Sequence, residues 1–148
     1  MTFGPPPAAS QKGEGGMRAE CQCGQLGIEV PGPTVAVVAC HCVACQRRTG
    51  SPVGVAAYYP DADVAVSGKA SRFERPTDLG ATLENFFCPD CGSTVYFRGS
   101  KNAGITGVPI GLFVESHSMV PIRSVWERSR HSWVTVPTAM QAFEQGRP

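Results

Sequence analysis

The sequence contains no run of about 18 or more apolar residues, so it offers no segment long enough to cross a bilayer as a helix. It also lacks an excess of charge. Its 13 Lys and Arg against 12 Asp and Glu leave a net charge of +1, with an isoelectric point near 7.6. No broad field attracts a polyanion or an anionic lipid surface, and no basic arm is present, so neither nucleic acid nor a membrane is an expected partner. The first residues carry no charged start followed by an apolar signal core and cleavage motif, and the expected location is cytoplasmic. A Ser-His-Asp order, a phosphate loop and a paired-carboxylate motif are all missing. Long helices are hard to place, and no internal repeat is visible beyond the cysteine clusters. At 148 residues one domain is expected.

The organisation follows from composition. Residues 1–16, MTFGPPPAASQKGEGG, are crowded with Pro, Gly, Ala and Ser and have no apolar period, so a disordered tail is expected there. Met17 directly precedes the first organised stretch and is a possible alternative start. The domain is expected to span 17–137, with a C-terminal tail at 138–148. From Cys21 onward, short segments rich in Val, Ile, Phe and Tyr alternate with Gly and Pro breakers, which predicts an all-β fold with little helix. The expected strands are 25–30, 34–39, 53–59, 64–67, 71–74, 83–87, 94–97, 104–110, 122–127 and 133–136. Only 45–48 and 138–143 could form a turn or two of helix.

Against this background, seven cysteines in so short a chain demand a chemical reason. Their odd number rules out a framework in which every thiol is paired within the chain. Closely spaced thiolates suit a borderline ion such as zinc in a reducing compartment, where disulfides would be unstable. All seven fall into three clusters: Cys21-Gln22-Cys23-Gly24, Cys40-His41-Cys42-Val43-Ala44-Cys45 and Cys88-Pro89-Asp90-Cys91-Gly92. In the last, Pro presets a turn and Gly permits a left-handed backbone, so both sulfurs can point at one metal. Cys21 and Cys23 have the spacing of residues on one face of a strand. Cys21, Cys23, Cys88 and Cys91 are therefore expected to form a closed four-thiolate site.

Cys40, Cys42 and Cys45 remain, three thiolates without a fourth cysteine. A zinc held by three protein ligands commonly takes water or substrate in its fourth position and acts there as a Lewis acid. Two other groupings stay open on spacing alone. Cys42 and Cys45 could join Cys88 and Cys91 in one ribbon-like site, or His41, His117 or His131 could close the three-cysteine site. His41 is disfavoured, since an extended backbone turns it away from its flanking cysteines.

The order C-x-C-G, then C-H-C-x-x-C-Q with a Gly soon after, then F-C-x-x-C-G-S, resembles the glutathione-dependent formaldehyde-activating enzyme family, which includes centromere protein V. The likeness runs from about Ala19 to Trp133. It implies a β-tent fold of small packed antiparallel sheets around zinc sites. It also implies a structural zinc on Cys21, Cys23, Cys88 and Cys91 and a catalytic zinc on Cys40, Cys42 and Cys45. The implied activity is that of a carbon–sulfur lyase, joining glutathione and formaldehyde to S-(hydroxymethyl)glutathione or the reverse. The expected partner is a small thiol or thiol–aldehyde adduct. Many relatives carry His-Ile-Trp where this chain reads Ser124-Val125-Trp126, and an acidic Leu-Asp-Asp-Pro stretch where it reads Gly111-Leu112-Phe113-Val114-Glu115.

Around the open cluster, Gln46 and Arg47, with Arg48 and Thr49 next to them, are candidates to bind a substrate carboxylate or to hydrogen-bond the sulfurs. Phe86, Phe87, Tyr96 and Phe97 are expected to pack the core, and Trp126 and Trp133 to anchor packing. His117 and His131 are expected at the surface. A noncatalytic zinc module for a macromolecular partner is the competing function, and a thiol redox sensor is a third.

Overall fold

The computed structural model describes residues 16–114, 119–135, 137 and 140–146. The expected N-terminal tail falls almost wholly outside these residues, as does His117. Eleven strands are formed among them: β1 (Met17–Glu20), β2 (Gly27–Val30), β3 (Val37–Cys40), β4 (Gly54–Pro60), β5 (Ala65–Ser67), β6 (Ser71–Pro76), β7 (Thr82–Phe87), β8 (Thr94–Gly99), β9 (Ile105–Pro109), β10 (Arg123–Val125) and β11 (Gln141–Ala142). Among the described residues a single α-helix, α1 (Val43–Thr49), follows β3. The protein is all-β with little helix, as its short apolar segments and frequent breakers predict.

A three-stranded sheet runs β1-β2-β5, and an eight-stranded sheet runs β11-β10-β3-β4-β9-β8-β7-β6. Pairing is antiparallel except where β10 lies parallel to both β3 and β11. Period-two burial explains how the sheets face one another. In β2, Ile28 and Val30 point inward while Glu29 is exposed; in β3, Val37 and Ala39 are buried. Leu26, Ile28, Val37, Val95 and Val108 are fully shielded and share one core cluster with Ala57, Tyr59, Tyr96, Phe113 and Met119. Each large aliphatic buried there contributes about 1.5–3 kcal/mol. An isolated bridge between Ala19 and Phe113 links the small sheet to the turn after β9.

The large sheet is strongly curled. From β3 to β6 there are five steps in its order, about 24 Å in a flat sheet at about 4.8 Å per step. Yet Arg75 of β6 lies within electrostatic reach of Cys42, just past β3. The turn between β6 and β7 also touches the C-terminal segment: a Cβ placed on Gly146 would fall 3.0 Å from Leu79 Cδ1. That segment runs beside β10, with Glu127 N donating to Phe143 O at 3.0 Å and Trp126 N to Gln145 O at 3.2 Å. Curling thus brings the two ends of the sheet together around the middle cysteine cluster.

Three local expectations change. Met17–Glu20 is a strand that the polar sequence Met-Arg-Ala-Glu does not announce; it forms because β2 offers it a partner from Val30 to Gly27. Trp133 lies in a turn and is 71% exposed, so neither the strand at 133–136 nor a packing anchor forms there; Val136 is outside the described residues. In 138–143, where helix was expected, Gln141 and Ala142 instead extend the sheet beside β10, while Thr138 and Ala139 lie outside the described residues. A neighbouring strand edge decides Met17–Glu20 and Gln141–Ala142, and local propensity does not report it.

Candidate metal centre

Two groups of sulfur ligands lie at the ends of strands. Cys21 and Cys23 occupy the turn leaving β1, with Gly24 N donating to Cys21 O and Cys21 N to Leu26 O, both at 3.0 Å. A turn, rather than the strand face inferred from their spacing, brings this pair together. Cys88 and Cys91 sit in the turn between β7 and β8, closed by Cys88 N to Ser93 O at 2.9 Å and Gly92 N to Cys88 O at 2.8 Å. Gly24 and Gly92 both adopt φ of 80°, a left-handed conformation that lets each turn fold back over its sulfurs.

All four sulfurs lie within 4.8 Å of one another, with Cys23 Sγ 3.6 Å from both Cys21 Sγ and Cys88 Sγ. These separations far exceed a disulfide bond of about 2.05 Å. They match the edge of about 3.8 Å expected for sulfurs arranged tetrahedrally 2.3 Å from zinc. Donors surround the sulfurs: Leu26 N reaches Cys21 Sγ at 3.3 Å and Gln25 Nε2 reaches Cys88 Sγ at 3.0 Å. Such donors stabilise thiolate charge and orient the ligands. Gln25 also pairs with both backbone groups of Lys69, at 2.7 and 3.0 Å, so it straps a distant loop to the site. Its role is invisible in sequence; its only signal is its position directly after C-x-C-G.

The second group is Cys40, Cys42 and Cys45, again with sulfurs within 4.8 Å of one another. Cys40 ends β3, while Cys42 is the N-cap of α1 with extended backbone and accepts from Cys45 N at 3.3 Å. Cys45 comes one turn into the helix. The strand-to-helix switch therefore converts the spacing C-x-C-x-x-C into one convergent set. Cys42 and Cys45 group with Cys40 and not with Cys88 and Cys91, so the ribbon-like alternative is not the arrangement found. Among the described residues no His, Asp or Glu joins the three. Three soft donors leaving one tetrahedral position without a protein ligand fit a zinc ion open to a further ligand.

The three thiols act on one another. Hydrogen bonds from Cys40 and then Cys45 pull the Cys42 pKa down to about 2, with Arg75 adding a positive charge. Cys40 is correspondingly pushed up, first by its hydrogen bond to Cys42. Tyr58 of β4 is also pushed up, chiefly by burial and then by the neighbouring charges of Cys45 and Cys40, so it keeps its proton beside them.

The two candidate histidines among the described residues, His41 and His131, are engaged elsewhere. His41 is buried and its Nε2 lies 3.0 Å from Ser124 Oγ. Ser124 in turn donates to Glu127 Oε1, and Arg130 Nε meets Glu127 Oε2 at 2.5 Å. Trp126, at φ of 58°, reverses the chain after β10 so that Glu127 returns to Ser124. His131 is exposed, with Nε2 2.8 Å from Gln46 Oε1. Gln46 completes a clamp by donating to His41 O at 2.8 Å and Ser129 O at 3.1 Å. Both ends of its amide are thus spent on the protein, and it ties α1 to the loop after β10.

Arg47 and Arg48 border different cavities. Arg47 lines one of about 380 Å³ with Val43, Gln46 and His131. Arg48 lines one of about 570 Å³ between α1, the start of β4 and the Cys91–Thr94 turn. Tyr96 and Phe97 are buried as expected, with Tyr96 stacked on Phe86 at 4.4 Å.

Comparison with known proteins agrees with these clusters. A family model described as glutathione-dependent formaldehyde-activating enzyme matches residues 16–129, a span that contains all seven cysteines. The chain is 25% identical over 102 residues to a protein of Penicillium rubens named, by inference, a glutathione-dependent formaldehyde-activating enzyme. That alignment covers 69% of this chain and 53% of the relative, so the chain spans about half of the relative's length. A crystal structure of a Rhodobacter sphaeroides protein superposes with a TM-score of 0.53 at 23% identity, covering 67% of this chain and 89% of the other, a likeness of fold. The chain belongs to the glutathione-dependent formaldehyde-activating enzyme family.

Proposed function

We propose that the protein is a zinc-dependent carbon–sulfur lyase-type enzyme acting on thiol adducts of small aldehydes, of the S-(hydroxymethyl)glutathione kind. Cys40, Cys42 and Cys45 are the ligand-binding centre in this reading, and Cys21, Cys23, Cys88 and Cys91 hold a structural ion, giving two zinc ions per chain. The functional domain is 17–137, with the C-terminal segment contributing β11 to its large sheet, in a cytoplasmic protein whose partner is a small thiol or its adduct. The observation that carries the reading is the unequal pair of sulfur groups, four in one and three in the other. Family membership supports formaldehyde and glutathione as the reactants.

A zinc ion on the three sulfurs would supply a Lewis acid with one position open to a substrate sulfur or oxygen. In the synthetic direction a thiol sulfur bonds to the aldehyde carbon, the carbon–oxygen π bond opens, and the thiol proton ends on oxygen; cleavage is the reverse. The protein's own groups prepare the site. Arg75 places positive charge near Cys42, which favours an anionic thiolate. Tyr58 retains its proton there. Gln46 holds the cysteine-bearing segment against the Ser129–His131 loop. Arg47 is the cation that lines the smaller cavity.

Metal counting with a thiol challenge tests this. Protein purified without chelator is expected to hold two metals, and cobalt at one of them is expected to change its absorption on addition of glutathione. A second metal saturated by protein donors alone, or one inert metal per chain, would instead favour a noncatalytic module for a macromolecular partner.

A further inference from the structure

The larger cavity is lined by a single cationic side chain. Among its lining residues, which include Gln22, Thr49, Ser93 and Cys91 of the four-cysteine group, Arg48 is the one cation, and no Asp or Glu is present. Gln22 already donates to Ser93 Oγ from both its backbone and its side chain, at 3.3 and 3.4 Å, and Thr49 Oγ1 donates to Cys45 O at 2.8 Å. Arg48 is different. Its guanidinium lies over the ring of buried Phe97, 5.0 Å from the centroid, and among the described residues it meets no carboxylate within ion-pair distance. Stacking on a ring occupies a guanidinium's face and leaves its in-plane N–H fork free for a carboxylate.

Its position connects this cavity with the three-sulfur group. A Cβ at Gly54 would fall 2.9 Å from Arg48 Nη2 and 3.3 Å from Cys45 Cβ. The missing side chain at position 54 is therefore what lets the guanidinium lie beside the third cysteine. Phe97 is itself fixed edge-on against Tyr58, at 6.0 Å between centroids, so the arginine is held before any ligand arrives. Such preorganisation spares a ligand the cost of ordering a long side chain.

We propose that Arg48 is the specificity-determining residue of the three-cysteine site, reading a carboxylate of a thiol whose sulfur enters there and whose body occupies the 570 Å³ cavity. This assignment rests on the reading of the three-cysteine group as a thiol-binding centre, and it names the feature that selects among thiols.

The test uses the full chain with cobalt in place of zinc, titrated with 3-mercaptopropionate and with neutral 3-mercaptopropanol. The unmodified protein is expected to bind the carboxylate thiol more tightly. Arg48→Gln should weaken that binding about ten- to hundredfold, the loss expected for a hydrogen bond between charged groups, while the neutral thiol binds unchanged. Arg48→Lys, which keeps the charge but loses the fork, should retain a reduced preference and serves if the Gln variant does not hold both metals. Equal weakening of both thiols, or an undiminished preference in the variants, overturns the assignment while leaving thiol binding intact. If neither thiol changes the cobalt absorption of the unmodified protein, the thiol-binding reading fails and this assignment falls with it.

Discussion

The two sulfur groups use the same donor atom but are assembled from the chain in different ways. In the four-cysteine group, two turns separated by 65 residues between Cys23 and Cys88 converge, so a metal there links the small sheet's first turn to the β7–β8 hairpin. In the three-cysteine group every ligand comes from six consecutive residues at one strand–helix junction, so a metal there adds little to long-range order. A long loop closed by coordination stabilises the fold, whereas a locally formed site can leave a coordination position to chemistry. Chelation should separate these roles.

The largest effect is expected from Cys91→Ser. Structural zinc contributes roughly 10–16 kcal/mol of apparent binding free energy, comparable with the stability of a domain. The variant should lose one metal and its cooperative thermal melt, and an unchanged melt by circular dichroism would erase the proposed distinction. Cys42→Ser is the matching change in the other group. It should also cost one metal and abolish the thiol-induced absorption change, yet keep a cooperative melt, as metal analysis and calorimetry can establish.

Smaller effects come from groups that hold the ligands. Gln25→Ala removes the donor to Cys88 Sγ and the strap to Lys69. Metal affinity of the four-cysteine group should fall about 10–100-fold in a chelator competition, with the other group unaffected. Gln46→Ala should produce the reverse pattern, because its clamp fixes α1 and the segment around Cys42. If both variants weakened both metals alike, the groups would not be independent.

The smallest effect concerns the brace behind the three-cysteine group. Burial pushes the Glu127 carboxyl up, but hydrogen bonds from Ser124 and Arg130 and the nearby positive charge outweigh it and hold the pKa below the usual range. The folded state then binds fewer protons than the unfolded chain, whose glutamates titrate near about 4.3. This contribution is present above that pH and is lost as pH falls through the lower folded value. Denaturant midpoints of Glu127→Gln should decline less steeply than those of the unmodified protein over that acidic window. Parallel profiles would remove Glu127 from the brace.

Much of the site was legible because cysteine spacing is local. C-x-x-C with Pro and Gly bends into a turn on its own, and C-x-C-x-x-C converges once a strand gives way to a helix. The strands with alternating Val and Ile were equally readable, since one buried face imposes a period of two. Other features left no such mark. Gln25, Arg75 and Tyr58 gain their roles from partners on remote segments, and Ser124 is bonded to His41 and Glu127 only because β10 lies parallel to β3.

The chain's order of residues by itself determined an all-β architecture and three short cysteine clusters, because backbone preference and side-chain period act over a few residues. Tertiary structure alone decided that Cys21 and Cys23 meet Cys88 and Cys91, and that Arg48 faces the larger cavity while adjacent Arg47 faces the smaller one. Those outcomes depend on strand register, on the curl of the large sheet and on one absent side chain at Gly54, each set by contacts between segments far apart along the chain.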